Sequence, residues 1–111
     1  MVKDEHSALK ASFKRALLFL NAGDYKMAER ICQKTIKEVS ISDPNIQVLL
    51  CVSLIRQGRS GTAVKRLKNI LRRFPEFMPG HEELGNALLA QNKPENAIEA
   101  FKKVLQLKPD N

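Results

Sequence analysis

The chain has 111 residues, of which 43% are hydrophobic and 28% are charged, and its formal net charge is +7. These values fit one globular domain of ordinary composition. The longest apolar stretch, near residues 16–20, is far too short to span a bilayer, and the N-terminal residues lack the apolar core of a secretory signal. We therefore expect a cytoplasmic protein without a membrane segment.

Two amphipathic helices are predicted in the first part of the chain. Asp4 can cap a first helix that reaches Asn21, and Gly23 can leave it because glycine accepts a left-handed backbone. Asp24 then begins a second helix, which ends before a polar connection at residues 40–43. The run from Leu17 to Leu20 makes the first helix apolar most of the way round, so we expect it to be buried on more than one side.

Four further helices are predicted in the rest of the chain. Asp43 and Pro44 form a strong helix start, because the carboxylate can accept from free amides and proline lacks an N–H where none is needed. The third helix ends before Gly58, and Ser60 is expected to cap the fourth. The fifth and sixth span about residues 79–91 and 94–107, and no run alternates convincingly with period two. The expected fold class is all-α.

Core positions recur along the chain with a period of 34 or 35 residues. Ala97 follows Ala63 by 34 positions, and Ala63 follows Ala28 by 35. The extra residue falls in the connection at residues 40–43. The 34-residue offset also aligns Leu84 with Leu50, Phe101 with Leu67, Val104 with Ile70 and Pro109 with Pro75. The chain therefore contains three copies of one unit.

This unit resembles the tetratricopeptide repeat, a helix-turn-helix of this length. The third copy matches best, with Leu84, Gly85, Leu88, Ala97, Phe101, Val104 and Pro109 at the family's spacing. In the first copy, Arg15 stands at the position of Leu84, and Ser40 replaces the closing proline. The resemblance implies a right-handed solenoid of three helical hairpins, which serves as a protein-interaction scaffold or adaptor. The expected units are approximately residues 9–43, 44–77 and 78–111 of a single domain, 1–111.

In this family, the first helix of each unit lines a concave groove that receives a peptide or a partner helix. The resemblance gives that role to Phe13, Leu17, Leu20, Asn21, Val48, Val52, Ile55, Arg56, Glu82, Asn86, Leu89 and Ala90. The best-known ligand mode grips a C-terminal carboxylate with lysine, asparagine and arginine. The corresponding positions include Phe13, Leu17, Leu49, Pro79 and Glu83, none of which can donate to a carboxylate. An amphipathic helix or an apolar extended segment is expected instead. The alternative is that some of these side chains only fill the groove wall.

Few residues could carry chemistry. His6 and His81 are the two histidines, and neither has a companion at metal-ligand or triad spacing. Cys32 and Cys51 also lack metal-ligand spacing, and we expect them to be small core residues. We therefore expect no catalysis, cofactor or metal in this chain.

Two other functions remain open. The helix that carries Lys65, Arg66, Lys68, Arg72 and Arg73 concentrates positive charge, which would suit a basic adaptor for nucleic acid or an acidic partner. Nucleic acid is disfavoured because few aromatic residues are available for stacking. The chain could instead be the docking or regulatory region of a larger enzyme whose catalytic domain lies elsewhere. No polar capping helix follows the third unit, so we expect a fragment of a longer, bacterial-type protein.

The last helix also suggests self-association. Ile98, Leu105 and Leu107 are expected to point toward the place of a following repeat. Two or three such side chains from each of two chains could hold a symmetric homodimer. The alternatives are a monomer with a frayed last helix and coverage by a downstream repeat.

Overall fold

The computed structural model describes residues 4–108, which form helices and no strand. The helices are α1 (Glu5–Asn21), α2 (Tyr25–Glu38), α3 (Pro44–Arg56), α4 (Ser60–Arg73), α5 (Met78–Ala90) and α6 (Pro94–Leu107). Each consecutive pair packs as a hairpin, and each hairpin packs on the next. The predicted all-α architecture is confirmed. Pro109, expected to close the third unit, lies outside the described residues.

Local capping explains where the first three helices begin. The Asp4 carboxylate accepts from the His6 amide at 3.0 Å, and that of Asp24 accepts from the Met27 amide at 3.2 Å. Asp43 caps α3 as predicted, with Pro44 in its first turn. The prediction for Ser60 is wrong, because it is the first helical residue of α4 and is buried.

A residue in the left-handed backbone region lies in the turn of each hairpin. Gly23 has a φ of 87° and Gly58 a φ of 78°. At the equivalent place in the third hairpin, Asn92 has a φ of 60°. Asparagine is one of the few residues that tolerate this conformation. The three turns therefore repeat in geometry although the third departs in sequence.

Small residues allow the helices to approach closely. Ala28, Ala63 and Ala97 have no exposed surface at equivalent positions of α2, α4 and α6. On the first helices of the hairpins, the equivalent small residues are Ala16, Cys51 and Gly85, and all three are buried. A larger side chain at such positions would push the helices apart.

The apolar first helix is covered only in part. α1 contacts α2 and α3, and these contacts bury Ala16 and Leu20, as expected for a helix buried on more than one side. Leu18, however, is 69% exposed. Within residues 4–108, no third element packs on α1.

Among the glycines, Gly85 in the third hairpin leaves the least room for a side chain. A Cβ atom added to Gly85 of α5 would lie 2.5 Å from two ring carbons of Phe101 on α6. Real Cβ atoms do not come so close, and an aromatic ring has little freedom to yield in a packed core. The position of the Phe101 ring therefore requires a glycine at position 85.

We expect Gly85→Ala to destabilise the fold. The gain in helix propensity is about 1 kcal/mol, whereas overpacking costs about 1–3 kcal/mol. Phe101→Leu should relieve the clash, so Gly85→Ala should cost less in that background or become stabilising. Gly61→Ala is a matched control, because the nearest atom to its added Cβ is a side-chain nitrogen of Gln91 at 3.4 Å. Urea denaturation of the variants measures these effects, and an equal cost of Gly85→Ala in both backgrounds would contradict the explanation.

A polar network joins the first hairpin to the second. Glu29 on α2 accepts from Gln57 Nε2 at 2.9 Å, and Arg59 Nη1 lies 3.1 Å from both of its carboxylate oxygens. Burial alone would raise the pKa of Glu29, but the hydrogen bonds from Gln57 and Arg59 and the charge of Arg59 outweigh it, and the pKa is lowered overall. The charged form of Glu29 is therefore favoured by the folded state.

Glu29→Gln should destabilise the protein by about 1–2 kcal/mol at pH 7. A lowered folded-state pKa gives stability that is present above the unfolded value, here 4.5, and is lost as pH falls through the folded value. The difference between the wild type and the variant should therefore shrink below pH 4.5. Urea denaturation as a function of pH measures it. Glu38→Gln, the same change at an exposed position of α2, should show little effect, and a pH-independent difference for Glu29→Gln would reject the assignment.

Candidate protein-binding groove

Three helices form one layer of the molecule. α1 contacts α3, and α3 contacts α5, so these helices lie side by side. Among the described residues, α2, α4 and α6 make no contacts with one another. Because neighbouring hairpins are closer together on the side of α1, α3 and α5 than on the other side, the stack curves toward these three helices. We call the surface formed by α1, α3 and α5 the groove face.

Several predicted groove residues offer apolar surface on these helices. Leu17 on α1 is 36% exposed, and Leu89 on α5 is 51% exposed. Phe13, Val52 and Ile55 are half-buried and pack against the core. The apolar character thus extends over all three helices.

Other predicted groove residues are buried or lack a large apolar side chain. Leu20 and Val48 are buried in the core, so they support the groove wall and offer little surface. Arg56, Glu82 and Asn86 are exposed, and so are Asn21 and Ala90 at the ends of α1 and α5.

The α5 side of the groove face is acidic. Burial, together with the nearby Glu82 carboxylate, raises the pKa of Glu83, although the side-chain amide of Asn86 donates to it at 3.2 Å and partly opposes the shift. Of the other positions where the family's carboxylate mode needs donors, Leu49 is buried and Pro79 has no donor to offer.

A cavity of about 490 Å³ opens where α1 and α3 begin, and sequence reasoning did not predict it. We call it the α1–α3 pocket. It is lined by His6, Leu9, Lys10, Phe13, Lys14, Ile41, Ser42, Asp43 and Asn45. One signal was present, because the repeat period lengthens by one residue in the connection that supplies Ile41 and Ser42.

Ser40 holds that connection against α1. Its amide donates to Glu5 Oε2 at 3.1 Å, and its hydroxyl donates to Glu5 Oε1 at 2.7 Å. These hydrogen bonds lower the pKa of Glu5. Proline, present at the equivalent place in the second unit as Pro75, has no N–H to donate. The departure of the first unit from the repeat pattern therefore has a structural reason.

Comparison with known proteins decides the family. A model of the tetratricopeptide repeat family matches residues 51–111, which is more than half of the chain. The chain belongs to the tetratricopeptide repeat family. Proteins of this family are typically non-catalytic scaffolds that bind protein partners. The family predicted from the sequence is confirmed.

One curated protein with a similar segment is the small glutamine-rich tetratricopeptide repeat-containing protein 2 of Saccharomyces cerevisiae. It is 45% identical over 49 residues, which is 44% of this chain. The match covers only 14% of the yeast protein.

Solved structures confirm the fold. The first TPR domain of human RPAP3 has a TM-score of 0.86 and 19% identity, with 97% of this chain and 84% of that one covered. A mutant O-GlcNAc transferase from Thermobaculum terrenum also has a TM-score of 0.86, at 25% identity, over 99% of this chain and 21% of that one. The right-handed solenoid of three tetratricopeptide hairpins is therefore established.

The basic helix of this tetratricopeptide domain lies outside the groove face. Its cations are all exposed on α4: Lys65, Arg66, Lys68, Arg72 and Arg73. Arg66 and Arg73 line a shallow depression of about 170 Å³ with Gln47, Asn69 and Ile70. The aromatic ring near them, Phe74, has the Arg73 guanidinium carbon 5.8 Å from its centroid.

The last helix exposes two large apolar side chains. Ile98 is 53% exposed and Leu105 is 69% exposed, whereas Leu107 is half-buried. Among the described residues, α6 contacts α5 alone.

Three of the residues that could carry chemistry, Cys32, Cys51 and His81, have structural roles. Burial raises the pKa of the Cys32 and Cys51 thiols to about 12, so both remain protonated and unreactive at neutral pH. His81 Nε2 lies 2.7 Å from the Pro75 carbonyl oxygen. Because a carbonyl only accepts, Nε2 must donate, and this bond ties α5 to the preceding turn. Within residues 4–108, no group of histidine, cysteine and acidic side chains could hold a metal ion. None of the helices described is long and apolar enough to cross a membrane.

Proposed function

We propose that this domain binds a peptide or an amphipathic helix of a partner protein on its groove face, and that it has no catalytic activity of its own. The observation that carries the proposal is the apolar surface shared by α1, α3 and α5, where Leu17, Val52 and Leu89 lie on three different helices. Isolated exposed leucines are common, but apolar surface shared by neighbouring elements indicates an interaction site. The family, whose members bind protein partners, supports the same conclusion.

The character of the groove face favours particular ligands. Fully burying one large aliphatic side chain contributes about 1.5–3 kcal/mol, so a few such contacts would support specific binding. An amphipathic helix can lay its apolar face into a hydrophobic groove of this kind. We also propose a cytoplasmic location, since buried free cysteines suit a reducing compartment.

Leu17→Glu and Leu89→Glu should abolish partner capture, because each places a charge in apolar surface that the ligand must cover. Both residues are partly exposed, so the fold should persist. The measurement is affinity capture from lysate of the source organism with quantitative mass spectrometry.

Leu18→Glu is the matched control for this experiment. Leu18 is adjacent to Leu17 on α1 and is 69% exposed, but it is not among the predicted groove positions. The same protein set should be captured by the wild type and by Leu18→Glu, and lost with both groove variants. If folded groove variants retain that set, the partner uses another face.

A second candidate is a docking region within a larger enzyme. The similarity to the O-GlcNAc transferase supports this alternative, because the match covers 21% of that protein's chain. In that case, the groove face would hold a substrate protein or a regulatory segment of the same enzyme.

We also propose that α6 supports a homodimer, as its exposed apolar side chains suggest. Ile98 and Leu105 lie seven residues apart, which is about two helical turns, so they share one side of the helix. A two-fold arrangement would bury the same side chains from each chain.

Leu105→Lys should convert such a dimer to a monomer, because a buried unpaired ammonium group is costly. Multi-angle light scattering at increasing concentration measures the mass. Lys102→Ala, a change at an exposed polar position of the same helix, should leave the dimer intact. A monomer mass for the wild type at high micromolar concentration would reject the dimer.

A further inference from the structure

The α1–α3 pocket has an apolar interior. Leu9 is buried at its wall, and the half-buried side chains of Phe13 and Ile41 complete the apolar lining. Its volume of about 490 Å³ lies within the range of sites that bind small ligands or anchor side chains. Phe13 is also a predicted groove residue, so the pocket adjoins the proposed groove face on α1.

The rim of this pocket carries positive charge. Lys10 and Lys14 are exposed, line the pocket and lie one helical turn apart on α1. Among residues 4–108, no carboxylate lies within ion-pair distance of either ammonium group. A ligand can therefore meet both charges without first displacing an intramolecular ion pair.

The nearby acidic groups already have partners. Asp43 lines the pocket, but its Oδ1 atom accepts from the Asn45 amide at 3.1 Å and from the Asn45 side-chain nitrogen at 3.2 Å. Glu5 accepts both hydrogen bonds from Ser40. Both carboxylates keep their negative charge, because their donors are neutral, but they cap a helix or hold the connection. Among residues 4–108, neither forms an ion pair with Lys10 or Lys14, so the two ammonium groups remain available to a ligand.

The opposite side of the groove face carries two carboxylates, with the charge of Arg56 near one of them. Glu82 is exposed and Glu83 is half-buried on α5. An acidic ligand segment would be repelled there and attracted at the α1 side, since opposed charges fix the register of a bound chain.

We propose that the α1–α3 pocket anchors an acidic segment of the partner peptide. One large apolar side chain enters between Leu9, Phe13 and Ile41, and the carboxylates beside it in the peptide bind Lys10 and Lys14. The inference rests on the proposed groove function and specifies the chemistry of its ligand.

The test is selection of a random peptide library displayed on phage against the wild-type domain, with the affinity of selected peptides measured by fluorescence polarisation. Selected peptides should share a large apolar residue with aspartate or glutamate next to it. Combined Lys10→Glu and Lys14→Glu substitutions should weaken their binding by about tenfold or more. Replacing the acidic residues of the peptide by lysine should restore binding to this double variant.

Two further variants separate the pocket from general charge effects. Lys65→Glu with Lys68→Glu makes the same change in net charge on α4 and should leave affinity within about twofold. Ile41→Ser removes apolar pocket lining without changing any residue of α1, α3 or α5, and it should weaken binding. Circular dichroism confirms that each variant is folded.

The outcomes distinguish the two proposals. Selected peptides that lose binding with Leu17→Glu but are indifferent to the Lys10 and Lys14 reversal would overturn the acidic anchor and leave the groove function standing. Sensitivity to the α4 variant instead would assign the acidic ligand to that helix and would also overturn the anchor. If the selection enriches no peptide, the groove function fails, and the anchor fails with it.

Discussion

Close approach of helices through small side chains is the constraint on which the rest of the structure depends. Ala28, Ala63 and Ala97 are fully buried at equivalent positions of the three hairpins. The first helices contact one another along the stack, whereas among the described residues the second helices do not. The groove face follows from that asymmetry, because it is the side on which the contacts are made. At Gly85 the two helices are too close for any side chain, because the ring of Phe101 lies where a Cβ atom would be.

The helices and their starts were largely predictable because local chemistry determines them. Aspartate caps, proline in first turns and left-handed turn residues act over a few residues and can be read without tertiary information. Ser60 was misassigned because a cap and a first helical residue differ by only one position, and burial of its side chain was not visible in the sequence. The exposure of Leu18 depends on which sides of α1 have neighbours, which is a property of the whole stack.

The candidate site was less predictable than the fold. Family spacing predicted which helices line a groove, but it did not give the depth of each side chain, and Leu20 and Val48 are buried. The α1–α3 pocket depends on the path of the connection before α3, which in turn depends on two hydrogen bonds from Ser40 to Glu5. Residues 35 positions apart in sequence make these bonds, so no local pattern could show them.

The single extra residue in that connection has a consequence for ligand alignment. A strictly periodic groove offers equivalent positions one repeat apart, so an extended ligand could bind in several shifted alignments of similar energy. The connection at residues 40–43 makes the boundary between the first two hairpins different from the next boundary. A ligand bound as proposed would meet a distinct surface at this boundary and would have one preferred alignment. One inserted residue can thus give a repetitive surface a single position that a bound chain distinguishes from the others.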